Sequence, residues 1–167
     1  MPQPDPTTDI KIILQKMEHY CAYQERSEQD VRNKLSTFII TETNKKQLLS
    51  ELKLLGFIDE TRFARAFTLG KFRINKWGKN KIRFALKQKG VADKIIEKSL
   101  NEIDDAAYKL SMEKLARAKI RSVRDEDNFK TMSKLVAHLV NKGYETSLAW
   151  DCVREIVEKT FGSTLQV

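Results

Sequence analysis

Six positions recur at one constant offset. Ile82, Leu86, Gly90, Ile95, Leu100 and Ile103 line up with Leu135, Leu139, Gly143, Leu148, Val153 and Ile156, each pair 53 residues apart. Within each set the apolar residues keep helical spacing, and the glycine falls where a helix ends on a left-handed residue. Repetition of pattern and stop signal together marks an internal structural repeat. An earlier stretch joins at an offset of 51, with Val31 and Leu35 matching Ile82 and Leu86. Its third helix then slips out of register, because a polar insert, Thr41–Asn44, adds about four residues.

Nine helical patterns can be read along the chain, and no stretch alternates as a half-buried strand does. Proline is confined to positions 2, 4 and 6, so no helix-breaking ring interrupts the remainder. The expected fold is all-α, with three tandem three-helix repeats near 11–56, 59–103 and 104–160, forming an elongated, curved array with no sheet. Residues 1–9 and 161–167 read as loose tails. Ser27 and Asp30 have the spacing of a capping box, and Asp59 is placed to cap the fourth helix. Expected core positions include Leu55, Phe63, Phe67, Ile74, Phe129 and Leu148. In the seventh helix the periodicity selects Ala107, Leu110, Leu115 and Ala118.

Composition narrows the functional classes. No run of about 18 apolar residues would span a bilayer, and the first residues lack the basic and apolar regions of a secretory signal. Cys21 and Cys152 lie far apart and form no CxxC site, which suits two structural thiols in a reducing cytoplasm. His19 and His138 have neither zinc-ligand company nor a nucleophile nearby. No Gly-rich phosphate loop is present. Asp125, Glu126 and Asp127 read as a solvated linker rather than a divalent-ion site. The expectation is a cytoplasmic, monomeric, non-enzymatic protein with no cofactor and no metal.

Charge gives the positive signal. From Arg62 to Lys89 the chain carries ten basic residues and no acid. The whole chain has 31 Lys+Arg against 23 Asp+Glu; without that stretch the balance is 21 against 23. A concentration of one sign suits a polyanion partner. Lys79, Arg83 and Lys87 fall at i, i+4 and i+8, a ladder about 12 Å long on one helix. The candidate contact residues are Lys71, Arg73, Lys76, Lys79, Lys81, Arg83, Lys87 and Lys89. Trp77 either fills the core of its unit or stacks on an exposed base.

The same stretch resembles the RecX family, the regulators of the RecA recombinase. The family pattern is matched by Gly56, Phe57, Ile58 and Asp59, then Glu60, Phe63 and Ala64, then Gly78, Ile82, Leu86, Lys89, Gly90 and Val91. Residues 129–157 suit the family's closing repeat, and the likeness covers roughly residues 10–160. The resemblance implies three tandem three-helix repeats and no catalysis. It further implies a protein that lies in the groove of the RecA–single-stranded DNA filament and lowers its ATP hydrolysis, strand exchange and coprotease activity, with consequences for recombinational repair and the SOS response. The other reading open at this stage is a free-standing DNA binder, helix-turn-helix-like or architectural.

Overall fold

A computed structural model describes residues 6–162, with side chains from Asp9 onward. The described residues form nine helices: α1 Pro6–Tyr23, α2 Glu28–Leu35, α3 Glu42–Leu54, α4 Glu60–Asn75, α5 Lys79–Gln88, α6 Asp93–Leu100, α7 Asp105–Val123, α8 Asn128–Lys142 and α9 Thr146–Phe161. None is long and apolar enough to cross a membrane. The chain divides into two compact units, residues 1–67 with 86–96, and residues 68–85 with 97–167. Helices α4, α5 and α6 contribute residues to both. Of the two expected tails, residues 1–5 and 163–167 lie outside the described residues. Residues 6–9, by contrast, already belong to α1: Pro6 opens the helix, where its missing N–H would have had no partner anyway.

Local signals set the helix ends. Ser27 Oγ accepts from the Asp30 N–H (3.1 Å) while Asp30 accepts from the Ser27 N–H (3.2 Å), a complete capping box. The Asp59 carboxylate accepts from the Arg62 N–H at 2.8 Å. Residues 41–44, expected as an insert between helices, instead start α3: Thr41 Oγ1 accepts from the Asn44 N–H, so the polar run supplies a cap and a first turn. Gly56, Gly90 and Gly143 all have positive φ. At each, the following residue donates back across the helix end: Phe57 to Leu52, Val91 to Leu86 and Tyr144 to Leu139.

In the first unit α1, α2 and α3 pack on one another. Ile13, Met17, Cys21, Val31, Leu35, Leu48, Leu49, Leu52 and Ile58 form the core. Lys89 of this unit donates to Asp30 at 2.9 and 3.2 Å, tying the start of α2 to the end of α5. Burial opposes the charge on Asp30, but hydrogen bonds from Lys89 and Ser27 outweigh it and hold its carboxyl below the usual range. The stabilisation is therefore present above the unfolded value of about 3.9 and is lost as pH falls through the lower folded value. Lys89→Met is expected to cost about 1 kcal/mol at pH 7. In urea melts, the gap between Lys89→Met and the parent should close below about pH 4; a gap constant down to pH 2 would mean that the pair contributes no charge-dependent stability.

In the second unit α7, α8 and α9 pack mutually. Fully buried Leu135, Leu139 and Val153 each contribute about 2 kcal/mol of transfer free energy. The matched repeat positions share burial: Ile82 with Leu135, Leu86 with Leu139, Leu100 with Val153, and Ile103 with Ile156. Leu148 departs, being exposed where Ile95 is half-buried. Several expected core positions are corrected. Leu55, Ile74 and Phe129 are exposed, and Phe67 is half-buried beside buried Phe63. On α7 the buried stripe is Tyr108, Met112, Ala116 and Ile120. Ala107, Leu110 and Ala118 are exposed and Leu115 is half-buried. The helix has two apolar stripes, and α8 and α9 pack on the one that carries the tyrosine.

Candidate polyanion-binding corner

Of the eight basic candidates, Lys87 and Lys89 belong to the first unit and the other six to the second. Lys79, Arg83, Lys87 and Lys89 face carboxylates. Lys79 Nζ lies 3.5 Å from Asp105, and Arg83 donates to both Glu97 oxygens at 2.7 and 3.2 Å and to Asn80. The Glu97 hydrogen bond holds the Arg83 guanidinium above its ordinary value. Lys87 meets Asp93 at 3.1 Å, and Lys89 meets Asp30 as described. The proposed ladder of Lys79, Arg83 and Lys87 is thus faced by carboxylates from α6 and α7, all absent from the acid-free stretch itself.

The other four gather where α4 turns into α5, within the second unit. Trp77 is half-buried there, with Lys71 Nζ 4.9 Å and Lys81 Nζ 4.8 Å from its ring centroid. It is neither a buried core residue nor a bare platform; it holds two ammonium groups by cation–π attraction. Arg73 and Lys76 are exposed on the same turn, and Lys76 Nζ donates to the Arg73 carbonyl at 2.6 Å. Among the described residues Arg73, Lys76 and Lys81 have no carboxylate partner.

Sequence reasoning missed the residues that hold this corner. Phe72, Tyr108 and Tyr144 pack in series as tilted rings, with ring centroids 5.9 and 4.9 Å apart. The Tyr144 hydroxyl donates to the Lys76 carbonyl (3.3 Å) and shares a hydrogen bond with Ser111 Oγ (3.1 Å). The Tyr108 hydroxyl accepts from the Lys79 N–H (2.9 Å) and donates to Glu145 (2.6 Å). Burial, then that donation, pushes the Tyr108 hydroxyl well above the ordinary phenol value, so it stays a donor. Tyr144 directly follows the stop glycine Gly143, where a helix-ending turn favours an apolar contact, so it alone had a local signal.

The first amides of α5 are also engaged. Gly78 N–H donates to the Lys142 carbonyl (2.8 Å), Lys79 N–H to Tyr108, and Asn80 N–H to the Gly143 carbonyl (2.9 Å). A free helix N-terminus would attract phosphate, but these groups are closed off by the α8–α9 turn and by Tyr108 of α7. Anion contact at the corner falls instead to side chains.

Lys76 has φ 57°, and it is the one non-glycine residue with positive φ among the described residues. Its N–H bonds the Phe72 carbonyl and the Trp77 N–H bonds the Lys71 carbonyl, so the left-handed residue ends α4. Lys76→Gly should relieve the Cβ clash and raise stability by about 0.5 kcal/mol, the strain relief being partly offset by glycine's extra unfolded-state freedom. A urea midpoint below that of the parent would rule the strain out.

The fold and the corner define a protein whose described residues are all-helical, built of short capped helices, that presents lysines and arginine around a tryptophan. Residues 59–100 match the family described as RecX, second three-helix domain. The chain is 31% identical over 150 residues to the regulatory protein RecX of Prosthecochloris aestuarii, covering 90% of this chain and 97% of that one. It belongs to the RecX family. It is also 34% identical over 134 residues to the regulatory protein RecX of Clostridium botulinum, covering 79% of this chain but only 62% of that longer relative. The crystal structure of RecX from Lactobacillus salivarius has the same fold, with a TM-score of 0.79 at 23% identity over 90% of this chain and 97% of that one.

Proposed function

We propose that this RecX-family protein regulates the RecA recombinase without catalysis of its own, binding the RecA–single-stranded DNA filament and lowering its ATP hydrolysis, strand exchange and coprotease activity. The observation that carries the reading is the corner of Lys71, Arg73, Lys76 and Lys81 around Trp77 on a member of this family. These side chains meet DNA phosphates or acidic filament surface, and Trp77 supplies a ring beside them. Lys79, Arg83, Lys87 and Lys89 act mainly in the fold, because each already faces a carboxylate. The same pairing weighs against a free-standing helix-turn-helix reader, whose recognition helix needs its polar side chains available for base edges.

The test is single-stranded-DNA-dependent ATP hydrolysis by RecA of the same organism, with and without the purified protein. The expected result is inhibition at or below a stoichiometric level. Unchanged hydrolysis, together with sequence-dependent affinity for duplex in the absence of RecA, would replace this reading with that of an independent DNA binder.

A further inference from the structure

The second apolar stripe of α7 is not covered. Ala107, Leu110, Leu115 and Ala118, with Ser111 and Lys114, form one wall of a groove of about 320 Å³ whose other wall is Phe72, Arg73 and Lys76 of α4. The whole groove lies within the second unit. Leu110 is 50% exposed, and the stripe keeps the i, i+3 and i+4 spacing of a helix-packing face over about 16 Å. Such a face normally packs closely against another helix; here α4 forms only the opposite wall, and no described helix fills the groove between them.

Every charged residue lining the groove is basic: Arg73, Lys76 and Lys114. None of the three has a carboxylate partner among the described residues. An apolar floor with a rim of one sign selects a ligand with an apolar stripe flanked by the opposite charge. Nucleic acid would satisfy the rim and leave the leucines wet. A second copy of this chain would bring a further set of cations to the same rim.

We infer that this groove docks an acidic amphipathic helix of a partner protein, leucine-like side chains filling the floor and carboxylates pairing with Arg73, Lys76 and Lys114. The site goes beyond the filament reading, since it predicts a peptide ligand that binds without DNA. Arg73 and Lys76 are shared with the corner around Trp77, so peptide and filament would compete for them, whereas Leu110 and Lys114 have no part in that corner.

The test uses the full chain and two fluorescent helical peptides of roughly 16 residues, with identical leucines at i, i+3, i+4 and i+7 and either Glu or Lys elsewhere. Anisotropy should show the Glu peptide binding at least about tenfold more tightly than the Lys peptide. Leu110→Glu should weaken the Glu peptide about tenfold or more, and Lys114→Glu should narrow the preference between the peptides. Both substitutions lie at the surface, and circular dichroism checks that helicity is kept. Equal binding of the two peptides, or parental binding by Leu110→Glu, would overturn the proposal. So would sedimentation showing a dimer that Leu110→Glu dissociates, since the occupant would then be a second copy. RecA hydrolysis is assayed alongside: peptide binding without RecA inhibition removes the filament reading alone, and inhibition without peptide binding removes the groove alone.

Discussion

Gly78→Ala is expected to destabilise the protein by about 3–5 kcal/mol, a large share of the roughly 5–15 kcal/mol that holds a domain together. A Cβ at Gly78 would stand 2.2 Å from the Gly143 carbonyl carbon, 2.3 Å from its oxygen and 2.3 Å from the Tyr144 nitrogen. All three are backbone atoms, so no side chain can rotate away. The two turns must part, which stretches the bonds from Gly78 N–H to Lys142 and from Asn80 N–H to Gly143. Gly70→Ala is the control. A Cβ there meets nothing within 4 Å, and the residue is inside α4. Alanine should therefore gain about 0.5–1 kcal/mol of helix propensity. Urea melts of the two variants should move in opposite directions with m unchanged. A parental midpoint for Gly78→Ala would show that the turns are not in contact in solution.

Reversal of the corner, Lys71→Glu with Arg73→Glu and Lys81→Glu, is expected to weaken binding to the RecA–DNA filament by about 100-fold or more at 0.1 M salt. The salt slope should flatten by about 2, from three phosphate contacts at roughly 0.7 each on a single strand. The comparison set is Lys79→Gln with Arg83→Gln and Lys87→Gln. Those cations already face Asp105, Glu97 and Asp93. Their neutralisation should cost about 1 kcal/mol of stability and less than about fivefold in binding. The opposite ranking, with the Gln set abolishing binding and the Glu set leaving it intact, would return the contact to the ladder on α5 and remove the corner from the proposed function.

The features legible in the sequence were those whose cause lies within a turn or two of chain. The capping box at Ser27 and Asp30, the Asp59 cap and the stop glycines Gly56, Gly90 and Gly143 each satisfy amides or carbonyls of their own helix. The pairs at the 53-residue offset keep their burial, Ile82 with Leu135 and Leu86 with Leu139, because helical period alone brings such residues to one face. The candidate site was less legible. A stretch without acids looks uncompensated in one dimension, yet Asp93, Glu97 and Asp105 arrive from the next two helices.

Helix α7 marks the boundary between the two kinds of information. Its sequence carries two apolar stripes of almost equal regularity, and period cannot choose between them. By itself the sequence determined an all-helical chain, most of the helix ends and the concentration of basic residues. Only the tertiary structure decided that Tyr108, Met112, Ala116 and Ile120 go inward, that Leu110 lines a groove, and which cations stay without a carboxylate. The physical reason is range. Caps and helical period act over a few residues along the chain, whereas burial and ion pairing depend on which distant helix packs alongside.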